Sequence, residues 1–467
     1  MTHGNYGMDP EHPTANPAVR HAAPDGSVDP TLEFVPDTGH AQGAVAYLRT
    51  TAAIRERAAW LLARARRGES RWFTIGDAAA LEDTARTVVE VSRERYPWDK
   101  IPFHSRWRHF EAGGVNRLEA LERLLGDKLD ARERARAHID LAVVSVLLDA
   151  GAGADWQYKE SATGQRFSRS EGLGVASFHA FTSGLFSSDP DHPLRADAAG
   201  LRALVTDRLG DAFQVSEVNP LVGLTGRATL LRRLGEAMHE QPEVFGEHGR
   251  PGGLFDALVG PLGPATPPTA SIGAHDILSQ LLMSLSAIWP ASNSIDSLTA
   301  DGSDAIGGGD PAHALGDCWR HGAVEGPGLT RGWVPFHKLS QWLTYSLIEP
   351  FEWAGVRVEG LDALTALPEY RNGGLLIDGG VIVPRDPAPT ERTWKVGDEC
   401  IVEWRALTVA LMDELATVVR QQLGRNASQL PLACILEGGT WAAGRVLAQR
   451  LRDGAPPLRI ESDGTVF

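Results

Sequence analysis

Residues 131–148 read ARERARAHIDLAVVSVLL, a charged opening followed by an apolar run from Ile139 to Leu148. A helix with that gradient lies deep in a core, because a run apolar on every side has no face to give to water. Patterning on both sides stays helical. The stretch Ala44 to Arg67 sets Leu48, Ile54, Leu61 and Leu62 near one face and its arginines on the other. Asp77 to Arg95, Val115 to Leu125 and Ala198 to Glu240 continue it. So does the chain from Val334, with Leu339, Trp342, Leu343 and Leu347 at helical spacing. Glu403 to Leu423 carries one stripe of Trp404, Leu407, Leu411, Leu415 and Val418. Strand signals are few. Thr163-Gly164 sits between short polar and aromatic runs in Trp156 to Glu171, which predicts a hairpin. Two short β stretches are expected near Leu375 to Val383 and Leu458 to Phe467. Alternating βαβ signals are absent, which argues against a doubly wound sheet. The expected fold is mainly α with small β-hairpins.

The first 40 residues could bury almost nothing and are expected to be a disordered tail. Residues 41–467 are expected to form one large helical unit. Gly260 to Pro268 reads as a loop, and 300–316, dense in Gly and Asp, as a more flexible one.

Composition narrows the function. With a net charge of −15, the chain lacks the basic face a nucleic-acid partner requires. No apolar run is long enough for a membrane span, and the N-terminus does not read as a signal peptide. Cys318, Cys400 and Cys434 form no CxxC pair, which suggests a reducing, cytoplasmic setting and neither disulfides nor zinc. There is no P-loop, HExxH or GxSxG, and Trp156 stands where the third glycine of a dinucleotide fingerprint would fall after Gly151 and Gly153. His104 and His109 are spaced for packing or surface roles better than for a shared metal. No cofactor and no metal are expected. The partner expected is a small molecule met by a monomer or homodimer.

Three segments carry polar residues where a pure core would not. They are Asp149 to Tyr158, Gly332 to Trp342 and Leu367 to Gly374. Each joins aromatics able to cover a flat or sugar ligand to charges able to do chemistry. Each also has a plain structural reading, since Trp156 and Trp342 at helix ends can plug a core and Glu369 can pair with Arg371 on the surface.

The stretches Glu217 to Arg227, Arg250 to Asp256, Pro368 to Leu375, Glu437 to Trp441 and Ile460 to Thr465 resemble the uracil-catabolism protein 4 family. A fainter resemblance is to the queuosine salvage proteins, N-glycosidases of a modified nucleoside monophosphate. It runs through Val143 to Trp156, Asn219 to Leu230, Val334 to Gln341, Ala366 to Leu375 and Glu403 to Asp413. That resemblance implies a helical DNA-glycosylase-like architecture, related to helix-hairpin-helix folds. It puts Glu369 at the position of the glycosidases' catalytic aspartate, one methylene longer, with Asp378 as the alternative carboxylate. Lys338 falls on a lysine of those proteins, and Asp155 and Trp156 fall where the base is packed.

The resemblance implies hydrolysis of an N-ribosidic bond, with ribosylurea or its 5′-phosphate as substrate by pathway logic. A carboxylate such as Glu369 would stabilise the oxocarbenium-like state and take a proton from water. Lys338, His337 or a protonated Asp155 would support the leaving nitrogen. Trp156, Tyr158, Trp342 and Tyr370 would line the substrate, and Arg371, Arg405 or Lys338 would meet a phosphate. The competing expectations are a C–N amidohydrolase, which needs a nucleophile or metal not found here, and a catalytically inactive nucleoside-binding or scaffold protein. A nucleic-acid glycosylase is disfavoured by the acidic charge.

Overall fold

The computed structural model describes residues 36–97, 100–260, 270–289, 293–295 and 313–461. The expected tail lies outside the described residues up to residue 35. The expected loop lies outside them up to residue 312.

The helix Ala131–Leu147 is the axis of the fold. Asp130 and Glu133 close a capping box at its start, satisfying two backbone groups that the first turn leaves open. From Ala137 to Leu147 every residue is buried, polar Asp140 and Ser145 included. Asp140 is tolerated there because Arg250 donates twice to it, at 2.9 and 2.7 Å, and the Gly252 and Ala196 amides donate as well. The conspicuous Arg250-Pro-Gly-Gly stretch is therefore a clamp from a loop onto this helix. Lys338–Trp353 packs against Ala131–Leu147, and Glu399–Leu423 packs against Thr51–Arg66 and Ala78–Arg95. Buried apolar side chains from Leu62 to Leu458 form one contiguous core, with two smaller clusters beside it.

Strands are short and come in two-stranded pairs among the described residues. The expected hairpin is present, Gln157–Lys159 against Arg166–Ser168. Other pairs join distant segments: Phe73–Ile75 with Ile382–Pro384, and Thr393–Trp394 in parallel with Arg459–Ile460.

Several boundaries differ from expectation. Ala44 to Arg67 is two helices, Ala41–Leu48 and Thr51–Arg66, because the Thr50 hydroxyl caps the second one at Ala53 N. Leu375 to Val383 is not a strand. Tyr370–Asp378 is helical, and β structure begins only at Ile382. Val334 belongs to a strand, Trp333–Pro335, two residues ahead of the Lys338–Trp353 helix. His313–Ala314, expected within a loop, pairs with Ser294–Ile295.

Glu437-Gly-Gly-Thr440 lies in a single π-helical turn, Leu436–Thr440, opening the helix Trp441–Arg452. Gly438 and Gly439 let this turn approach Ala78–Arg95. A Cβ on Gly439 would meet Val88 at 2.6 Å. Gly439→Ala is accordingly expected to destabilise the protein by about 1–3 kcal/mol, read as a fall in the denaturation midpoint. Wild-type melting of this variant would show that the contact has room to relax.

Candidate active site

Glu369 is the N-cap of Tyr370–Asp378. Its carboxylate accepts the Arg371 amide at 2.6 Å and the Asn372 amide at 2.7 Å. Glutamate is uncommon as a side-chain cap, because its extra methylene must fold back. Here the fold-back fixes the carboxylate at a helix N-terminus, which favours its ionised form. Burial acts the other way and dominates, so its proton affinity is raised above the ordinary value of 4.5. Lys338 opens the neighbouring helix and lies close enough for the two charges to influence each other. Burial lowers the Lys338 ammonium below its ordinary 10.5, with the Arg405 charge adding to this and Glu369, Asp317 and Asp149 opposing it.

Arg405 and Asp317 hold these two groups in place. The Arg405 guanidinium donates two parallel bonds to Asp317, both 2.7 Å, and its Nε donates to the Pro368 carbonyl, the residue just before Glu369. Asp317 in turn accepts the Lys338 amide at 3.0 Å and the Trp319 indole at 2.7 Å. Burial alone would raise the Asp317 proton affinity, but Arg405 and these donors hold it at about 2. Arg55 braces the same segment from the other side through the carbonyls of 362–364.

Asp149 supplies the second carboxylate. It lies just past the end of Ala131–Leu147, is 9% exposed in its side chain, and stands 3.1 Å from Arg106 Nη1. Ser170 donates to its other oxygen at 3.1 Å. Its charge reaches Lys338 and Tyr370. The segment that carries it is anchored by Arg227, whose guanidinium donates to the carbonyls of Leu148, Ala150, Gly151 and Val222. A sequence signal for Asp149 existed: an acidic side chain at a helix C-terminus opposes the helix dipole, an arrangement that costs stability unless something uses or compensates it.

Asp155, expected as a proton donor, is exposed; Asp149, six residues earlier, holds the buried position instead. Trp156 is fully buried, with its indole donating to the Phe213 carbonyl at 3.0 Å and its ring stacked on Phe213. Tyr158 is 7% exposed and stacks on His179. Both are core residues, so neither offers a face to substrate. His337 is buried, with a left-handed φ of 50°, and its ring bonds the Leu48 carbonyl at 2.9 Å. It fastens the helix start, its Nε2–H donating to that carbonyl. Arg405, expected against a phosphate, is committed to Asp317 and Pro368. Asp378 is paired with Arg452 at 2.6 Å and holds the far end of the Glu369 helix. Tyr370 is half-buried, with the Arg371 guanidinium over its ring at 4.8 Å. Arg371 is 5% exposed and reaches the Gly454 carbonyl at 3.4 Å. Trp342, one helical turn from Lys338, packs between His104, His109 and Arg106.

His104 and His109 are packing residues, as their spacing implied. His104 bonds Glu437 at 2.8 Å, and Glu437 also accepts from Arg95 and Tyr96. Among the described residues no three His, Cys, Asp or Glu side chains converge as a metal-binding set, and no helix is long and apolar enough to cross a membrane.

This geometry can be set beside known proteins. Residues 47–467 match the family described as protein of unknown function DUF1688. The chain belongs to this family. It is similar to protein urg3 of Schizosaccharomyces pombe, 38% identical over 430 residues covering 91% of this chain and 99% of that protein. It is similar also to uracil catabolism protein 4 of Lachancea kluyveri, 37% identical over 428 residues, 86% of this chain and 93% of that protein. The similarity to these relatives thus extends over most of the chain, well beyond the stretches that first suggested it.

Proposed function

We propose that this protein takes part in uracil catabolism as an N-ribosyl hydrolase, releasing urea from ribosylurea or its 5′-phosphate on a DNA-glycosylase-like helical scaffold. The pathway rests on the names of its relatives. The chemistry rests on one observation: a carboxylate fixed at a helix N-terminus lies within electrostatic reach of a buried lysine, as does a second carboxylate, Asp149.

In the reaction, the bond from the anomeric carbon to the urea nitrogen breaks as a water oxygen bonds to that carbon. Glu369 takes the water's proton and its charge offsets the oxocarbenium character of the transition state. The Lys338 ammonium donates to the departing nitrogen, so that urea leaves neutral. Burial excludes water and strengthens both interactions. The proton balance closes when Glu369 and Lys338 re-equilibrate through solvent.

The deciding experiment is urea release by purified protein from ribosylurea and from its 5′-phosphate. Release that requires Glu369 supports the assignment; none from either substrate by folded protein removes it. A pH profile adds a sharper check. The active form needs Glu369 ionised and Lys338 protonated. With Glu369 raised and Lys338 lowered, kcat/KM is expected to rise through an inflection above 4.5 and fall through one below 10.5. Glu369→Gln should abolish the acid limb of any residual rate. A rising limb at the ordinary glutamate value would contradict a buried Glu369 as base.

A second reading has its own observation. Both Glu369 oxygens already accept backbone amides, which suits a capping residue in a protein that binds a nucleoside-like ligand without cleaving it. Binding of ribosylurea without urea release would favour it.

A further inference from the structure

Three buried polar atoms on side chains gathered around Arg106 lack hydrogen-bond partners among the described residues: Arg106 Nη2, Trp342 Nε1 and Asp149 Oδ1. Their side chains are at least nine-tenths buried. The Arg106 Cζ lies 5.5 Å from the Trp342 ring centroid, and its Nη1 is 3.1 Å from Asp149 Oδ1 without hydrogen-bond alignment. Leaving one buried donor or acceptor unmet costs about 1–3 kcal/mol, so three in one cluster point to a ligand.

The pattern is specific: two donors, Arg106 and Trp342, beside one acceptor, Asp149. Arg106 is already paired with Asp149, and Glu171, within electrostatic reach of Arg106, is paired with Arg445. His109 adds no charge: burial, with the Arg106 charge, holds its ring neutral down to about 3, and its Nδ1 accepts from Arg106 Nη1 at 3.1 Å. An anion here would sit directly against the Asp149 carboxylate. An uncharged group with one acceptor oxygen and adjacent N–H donors fits.

We infer that Arg106, Trp342 and Asp149 form a subsite for a terminal ureido or carboxamide group, its carbonyl oxygen accepting from Trp342 and Arg106 and its N–H donating to Asp149. The identity of that group as the leaving urea rests on the N-ribosidase reading; its binding rests on the geometry. Lys338 is one helical turn from Trp342 and within electrostatic reach of Asp149.

The test reads binding and not turnover. Protein labelled with 15N-tryptophan gives an indole resonance for Trp342, assigned by its loss in Trp342→Phe. N-methylurea is titrated against wild type, with N-methylguanidinium (N–H donors but no oxygen) and methyl phosphate (an anion) in parallel. N-methylurea is expected to move the Trp342 indole proton downfield and saturably, with Kd on the order of millimolar, and Asp149→Asn to weaken it by about fivefold or more. No saturable shift in wild type, or an equal one with either control, overturns the subsite; the wild-type titration decides this without any variant. Saturable N-methylurea binding in a protein that releases no urea would keep the subsite and remove the N-ribosidase reading, and hydrolysis without such binding would do the reverse.

Discussion

Glu369→Gln is expected to lower kcat for urea release by about a thousandfold, within the range for loss of a positioned general base, with KM little changed. The amide keeps the size of the carboxylate and one acceptor oxygen but carries no charge and cannot take a proton. It also turns an NH2 toward one of the two capping amides, so either the Arg371 or the Asn372 bond is lost. That cap loss costs about 1 kcal/mol, too little to unfold a chain whose core is contiguous from Leu62 to Leu458. The rate and the melting curve therefore separate chemistry from folding. Glu369→Asp probes reach. Aspartate is the better cap, so stability should hold or improve, while withdrawing the carboxylate by one methylene should still cost about tenfold or more in kcat. A wild-type rate in Glu369→Gln would sink the assignment of this carboxylate. Equal and full activity in both variants would move the base to Asp149.

What could be read from the chain and what could not divides along sequence distance. Asp77, Asn116 and Asp130 announce helix starts because a cap and the amide it serves lie three residues apart. The buried helix at 131–147 was legible because its apolar run, Ile139 to Leu148, is likewise local in sequence. The strand misplaced onto 375–383 came from an apolar run too short to show its period; the actual strand, Ile382–Pro384, exists because Phe73–Ile75 pairs with it from 309 residues away. Glu369 was found through resemblance, since glutamate is not a capping type. Asp149 was quoted with its segment and passed over for Asp155 and Trp156, whose burial and exposure depend on a hairpin and on Phe213. Arg405 looked like a phosphate ligand because its partner, Asp317, lies 88 residues away and carries no local signal.

That pair carries the second large effect. Asp317→Ala is expected to destabilise the protein by about 3–5 kcal/mol, because it takes the Asp317 carboxylate away from the fully buried Arg405 guanidinium. The loss should appear as a lower guanidinium-chloride midpoint at unchanged slope. Arg405→Leu alone should cost a similar amount by stranding Asp317. The double variant should recover part of both losses, since no unpaired charge remains; strict additivity would show that the two side chains do not work as a unit. Activity should not recover with stability. Arg405 Nε holds the carbonyl before Glu369, and Asp317 holds the amide of Lys338, so removing the bracket releases both Glu369 and Lys338 even where the core is repacked. This separates the bracket from a phosphate contact. If Arg405 bound a 5′-phosphate, Arg405→Lys would raise KM for the phosphorylated substrate alone. As a bracket, it should instead lower kcat for ribosylurea and its 5′-phosphate by the same factor, because a lysine cannot supply the two parallel bonds to Asp317 and the third to Pro368 at once.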